Sequence, residues 1–101
     1  MIVIKNRHTG LVMYKFDLEN FDNAHLWGAD FTEADLSNVV LSECNLGHAK
    51  FIGADLRGAV FSNTCLAGAD FTGADMEGVK IRWCNLDCTQ FGDICLTVVG
   101  Q

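Results

Sequence analysis

A large apolar residue recurs at every fifth position of this chain. The series is Leu11, Phe16, Phe21, Leu26, Phe31, Leu36, Leu41, Leu46, Phe51, Leu56, Phe61, Leu66, Phe71, Met76, Ile81, Leu86, Phe91 and Leu96. Two places before it stands a small residue, most often alanine, as at Ala24, Ala29, Ala34, Ala49, Ala54, Ala59, Ala69 and Ala74. A period of five matches neither the 3.6-residue turn of a helix nor the two-residue alternation of a strand. A strict repeat of this kind marks a solenoid, in which each unit buries its apolar side only against its neighbours.

The unit reads A-D-L/F-x-x in its clearest copies: Ala29-Asp30-Phe31, Ala34-Asp35-Leu36, Ala54-Asp55-Leu56, Ala69-Asp70-Phe71 and Ala74-Asp75-Met76. It resembles the unit of the pentapeptide-repeat family over roughly residues 14–98, some seventeen consecutive copies. The resemblance implies an all-β fold, a right-handed quadrilateral β-helix. In it the central residue and the small residue point inward, and four units close one coil. The small position departs from the pattern at Tyr14, Glu19, Thr64, Thr89 and Ile94. Glu19 fits least well.

If four units close a coil, residues twenty apart should stack. Phe31, Phe51, Phe71 and Phe91 then form one column, and Leu26, Leu46, Leu66 and Leu86 another. Phe16, Leu36, Leu56, Met76 and Leu96 make the third, and Phe21, Leu41, Phe61 and Ile81 the fourth. A coil of three or five units would mix Phe with Leu in every column. Like residues about 4.8 Å apart pack well, and stacked rings add offset aromatic contacts. The expectation is about four coils, a rod of about 20 Å.

Residues 1–13 are expected to form a hairpin or strand that caps the first coil, with the turn supplied by Asn6-Arg7-His8-Thr9-Gly10. Residues 14–98 then form the β-helix and 99–101 a tail. Cys95, Leu96, Val98 and Val99 leave an apolar terminus, through which a second copy is expected to pair end to end. Glycine recurs at the corners, at Gly28, Gly53, Gly58, Gly68, Gly73 and Gly78, where a positive φ is needed. The corner column Asn23, Glu43, Asn63 and Trp83 lacks glycine, so a turn without a left-handed residue is expected there.

A chain of 101 residues, half of them apolar, suits one domain with a continuous core. Proline is absent, as stacked strands need their N–H donors. No run reaches the ~18 apolar residues of a membrane span, and the first residues lack the apolar core of a secretory leader. A cytoplasmic location is expected. Of the five cysteines, Cys44 and Cys84 take the inward small position, while Cys65, Cys88 and Cys95 do not. Cys84, Cys88 and Cys95 do not converge, so no metal is expected, and the thiols read as reduced. No cofactor is expected either.

Charge is the feature that best carries function. The net charge is −6. The two faces around the Phe31 and Leu36 columns hold Asp17, Asp30, Glu33, Asp35, Asp55, Asp70, Asp75, Glu77 and Asp93 against Lys15, Lys50 and Arg57. The other two hold Glu19, Asp22, Glu43 and Asp87 against Lys80 and Arg82. Asp35, Asp55 and Asp75 should form a ladder. Carboxylates about 5 Å apart repel by roughly 1 kcal/mol in water and favour a cation or basic partner.

The candidate binding surface is therefore Asp30, Asp35, Asp55, Asp70 and Asp75. Trp27 lies beside it, expected to lie flat over the small residues Gly47 and Ala67. Val40, Val60, Ile52 and Trp83 also point outward. The expected function is a non-enzymatic structural or protein-binding module with an unidentified protein partner. The family resemblance implies a second reading, a DNA-mimicking modulator of a type II topoisomerase such as gyrase. His25 and His48 have no assured carboxylate, and no nucleophile–base set is legible. Seven scattered Lys and Arg make no nucleic-acid patch.

Overall fold

The computed structural model describes residues 1–92. Its strands are short: β1 (Ile2–Asn6), β2 (Val12–Phe16), β3 (Ala34–Asp35), β4 (Val40–Ser42), β5 (Val60–Ser62) and β6 (Lys80–Arg82). β4, β5 and β6 pair in parallel at a twenty-residue spacing, Val40 on Val60 on Lys80 and Leu41 on Phe61 on Ile81. Single parallel bridges repeat the spacing on other columns, including Asn45–Cys65–Asn85 and Asp55–Asp75. The chain is thus a β-solenoid whose backbone bonds run between stacked coils, as in Phe31 N–H to Lys50 O (2.7 Å) and Lys50 N–H to Ala29 O (2.8 Å).

The interior follows the five-residue series. Phe31, Phe51 and Phe71 are buried and stacked with centroids 5.6 and 4.8 Å apart, and Phe61 meets Phe51 and Phe71 edge-on. Leu46 and Leu66 are buried in their column. Leu26 and Leu86, with Phe91, are half-buried. They lie in the first and last of the described coils. The alanines between them are fully enclosed, Ala49, Ala54, Ala59 and Ala69 among them. A larger side chain there would force neighbouring coils apart.

The hairpin reaches further than residue 13. Tyr14 and Phe16, which the repeat frame places in the first unit, belong to β2 and lie opposite Ile4 and Ile2 of β1. Leu11 is 70% exposed and is no part of the core, because it sits at the hairpin turn, where its carbonyl accepts from Asn6 N–H. Phe21 is the first buried central residue. Glu19 and Leu18 lie exposed in the link between hairpin and coil, which accounts for the poor fit of Glu19 to the repeat.

The hairpin covers the first coil. β1 runs antiparallel to β3, Lys5 opposite Asp35 and Asn6 opposite Ala34. Ile4 is buried, Tyr14 packs edge-on against Phe31 at 5.5 Å, and Phe16 against Phe21 at 5.4 Å. Polar ties reinforce the cover: Tyr14 OH donates to Asp30 O (2.6 Å), Arg7 Nη1 to Gly53 O (3.1 Å), and His8 Nε2 lies 2.7 Å from Glu33 Oε2. The residues invoked for end-to-end pairing, Cys95, Leu96, Val98 and Val99, lie outside the described residues.

The corner column without glycine is left-handed after all: Asn23, Glu43, Asn63 and Trp83 have φ of 63°, 55°, 53° and 54°. What differs there is the hydrogen bonding. At most corners the N–H just after the left-handed residue closes back on the central carbonyl, as in Ala49 N–H, after His48, to Leu46 O (3.0 Å). After Leu41 and Phe61 no such backbone bond forms. These carbonyls, which lie in the parallel ladder, are also reached by a side chain from the next coil. Thr64 Oγ1 donates to Leu41 O (2.9 Å) and Cys84 Sγ to Phe61 O (3.5 Å), while Cys44 Sγ donates to Phe21 O (2.8 Å), which also accepts from Ala24 N–H (3.0 Å). The column Cys44–Thr64–Cys84 therefore departs from alanine for a reason: each is small yet carries a hydrogen to give. Burial raises the pKa of both thiols and keeps them protonated, which this role requires.

Candidate functional surface

The aspartate that precedes each central residue has a structural task. Its Oδ1 accepts the N–H two residues on and so fixes the corner: Asp30 from Thr32 (3.0 Å), Asp35 from Ser37 (3.1 Å), Asp55 from Arg57 (3.2 Å), Asp70 from Thr72 (2.9 Å) and Asp75 from Glu77 (3.3 Å). Asn20, Asn45 and Asn85 make the same turn with Asp22, Gly47 and Asp87. Asx side chains commonly cap turns in this way. Sequence reading missed this role, although the free exchange of Asp with Asn at the position was its signal.

Two carboxylate columns stand side by side. In one, Asp30, Lys50, Asp70 and Gln90 bridge in order, so a lysine already separates the two acids. In the other, Asp35, Asp55 and Asp75 are consecutive. The repulsion expected between them is met from within. Arg57 grips Asp55 with Nε (2.9 Å) and Nη2 (2.8 Å), and its Nε lies 3.7 Å from Asp75 Oδ2. Asp55 is thereby the buried member of the ladder. The Arg57 hydrogen bond lowers its pKa, and that of Arg57 is raised by the same contact. Hydrogen bonding by Thr32 and Thr72 lowers those of Asp30 and Asp70. The second oxygens of Asp30, Asp35, Asp70 and Asp75 accept no hydrogen bond from the described residues. Beside this ladder runs a shallow open groove floored by Gly58 and Gly78 and edged by Ser37, Asn38, Arg57 and Glu77.

These shifts fix a pH dependence. A carboxylate whose folded pKa lies below its ordinary value near 3.8 stabilises the fold above that value, and the contribution is lost as pH falls through the folded pKa. The urea midpoint is therefore expected to fall on acidification below about pH 4. Asp70→Asn, which keeps the turn acceptor but not the charge, should start below the parent at neutral pH and lose less in acid. Equal acid losses in the two proteins would show that Asp70 takes no part.

Trp27 is 65% exposed and lies over Gly47, where an added Cβ would come within 2.9 Å of its ring, and against His48 at 5.2 Å between centroids. His48 in turn lies over Gly68. The other outward apolar residues do not join it. Val40 and Val60 pair in β4 and β5, and Trp83 sits at the corner after Ile81, on another column. Among the described residues, no three His, Cys, Asp or Glu side chains converge as a metal-ligand set, and no helix is long and apolar enough to cross a membrane.

The family model described as pentapeptide repeats (8 copies) matches residues 20–58, 40–78 and 54–91. The chain belongs to the pentapeptide-repeat family. Membership gives the solenoid its hand: these proteins are right-handed β-helices. A trypsin-treated variant of QnrB1, a plasmid-mediated fluoroquinolone resistance protein, matches at 29% identity and a TM-score of 0.58, over 71% of this pentapeptide-repeat chain and 37% of its own. A second QnrB1 variant matches at 30% and 0.51, over 79% and 39%. HetL, a pentapeptide repeat protein involved in heterocyst differentiation regulation in the cyanobacterium Nostoc, matches at 25% and 0.39, over 73% and 37%. The pentapeptide-repeat chain thus spans less than two fifths of the length of each. A search of curated protein sequences returns no match.

Proposed function

We propose that this pentapeptide-repeat protein is a non-enzymatic, cytoplasmic binding module, a four-sided β-helix of about four coils whose acidic face receives a basic surface of a protein partner. One observation carries the reading. Asp30, Asp35 and Asp70 each spend one oxygen on their own corner and keep the other free of hydrogen bonds from the described residues, Asp75 turns its second oxygen toward Arg57, and the cations on that face, Lys50 and Arg57, lie among them. The carboxylates are thus held in fixed array at the spacing of the coils, about 4.8 Å. Such preorganised charge gives specificity and a fast encounter with a partner of opposite sign. Trp27 offers an apolar margin.

The test is a triple replacement, Asp30→Asn, Asp70→Asn and Asp75→Asn, which removes charge and preserves the turns. A protein captured from extract by the parent, released by about 0.5 M salt as screening predicts, and not captured by the triple variant supports the reading. Capture that survives the replacement sinks it.

A second reading, a DNA-mimicking modulator of a type II topoisomerase such as gyrase, is favoured by the similarity to QnrB1, a fluoroquinolone resistance protein. Inhibition of gyrase supercoiling by the parent, relieved in the triple variant, is its expected sign. The absence of any effect leaves the general binding module.

A further inference from the structure

The hairpin differs from the rest of the molecule in charge and in backbone. Residues 1–16 contain Lys5, Arg7 and Lys15 and no carboxylate, whereas all thirteen acids lie beyond them. The three-stranded sheet has the order β2–β1–β3, so β2 is an edge. The direction of its free groups follows from β1. Asn6 N–H bonds toward β2, to Leu11 O, and Arg7 N–H bonds toward the coil, to Glu33 O. Alternation along β1 then turns Ile4 and Ile2 toward β2, to Tyr14 and Phe16, their partners in register. Lys15, between them, points its N–H and C=O away from β1, and no backbone group of the described residues bonds to that outer edge.

The edge carries two of the usual guards, a bulge and one lysine, but Tyr14–Phe16 stays in regular register with β1 and its outer side is open. β2 holds no proline, its single bulge lies at Met13, and its outer face presents Val12 and Lys15, with Val3 and Lys5 of β1 beside them. Leu11 and Met1 are exposed at its margins. An unpaired strand of this composition is a template for a further strand.

We propose that the outer edge of β2, Val12–Phe16, accepts an extended acidic segment of a partner protein as an added strand. Main-chain bonds to Lys15 set the register, alternate apolar residues cover Val12, and a carboxylate pairs with the Lys15 ammonium. The acidic face does not oppose this. An added strand would stand three strand spacings from Asp35 of β3, roughly 14 Å, which exceeds the Debye length of about 8 Å in physiological salt. The site is separate from the carboxylate columns and takes a ligand of the opposite sign.

The probe is a fluorescein-labelled heptapeptide of alternating valine and glutamate, followed by anisotropy, with its valine–lysine counterpart as control. The glutamate peptide should bind at least about tenfold more tightly and weaken with salt. Lys15→Pro removes an N–H that makes no bond within the hairpin, a replacement tolerated at a strand edge; with Lys15→Gln it separates backbone from charge. Binding should fall about tenfold in the first and about threefold in the second. In the parent protein, peptide should slow hydrogen exchange at the Lys15 amide, a readout that stands even where Lys15→Pro fails to fold. Equal binding of the two peptides, or an unslowed Lys15 amide, overturns the proposal. Light scattering that shows a dimer abolished by Lys15→Pro would give the edge to a second copy and overturn it as well.

Discussion

Phe51→Ala is expected to destabilise the fold by about 3–5 kcal/mol, the range for removing a fully enclosed phenylalanine. Phe51 is wholly buried and shares faces with Phe31 and Phe71 and an edge with Phe61. Truncation forfeits three ring contacts and opens a void between coils that stacked backbones cannot close, since their separation is fixed by the bonds between strands. Urea denaturation followed by far-UV circular dichroism measures the loss. Phe91→Ala, at the half-buried end of the column, should lose markedly less. A loss below about 1 kcal/mol at Phe51 would contradict the enclosed stack.

Thr64→Val tests the other part of the interior. The exchange keeps shape and removes a hydroxyl that donates to Leu41 O at 2.9 Å and accepts from Cys44 N–H at 3.4 Å. The valine would take one donor from Leu41 O and leave the buried Cys44 N–H without its acceptor, at about 1–3 kcal/mol. Thr64→Cys should be much milder, because thiols at Cys44 and Cys84 already hold this place in the adjoining coils. The difference between the valine and cysteine variants, read as urea midpoints, isolates the donated hydrogen. Identical midpoints would mean that the column is selected for size alone.

Most of the fold was legible because the coil pitch writes itself into the chain. Phe31, Phe51 and Phe71 share a column and a residue type, and they stack as their spacing required. The misreadings have physical causes. Leu11 and Phe16 keep the five-residue beat by coincidence of the hairpin, whose inward side Phe16 shares with Ile2 and Ile4 through two-residue alternation. The corner at Asn23, Glu43, Asn63 and Trp83 escapes a reading in which glycine alone marks positive φ. Asparagine enters that region at small cost, and Glu43 and Trp83 are held there by the coils stacked against them. The column of Asp35, Asp55 and Asp75 was readable from its spacing. Its architecture was not, since nothing in a lone Asp55 announces that Arg57 will turn back upon it.

The bonds between coils join residues nineteen or twenty-one apart, as in Phe31 to Lys50 and Lys50 to Ala29. Length in this chain is therefore quantised. Loss of one residue would turn every later central side chain out into water. Loss of five would keep inside and outside but move every later residue to the neighbouring column, parting stacks such as Phe71 on Phe51. Only the gain or loss of a whole coil returns each residue to a place beneath its former partner. Growth by duplication is thus the route by which such a molecule changes length and keeps its interior, and each new coil would add one more step to the acidic face.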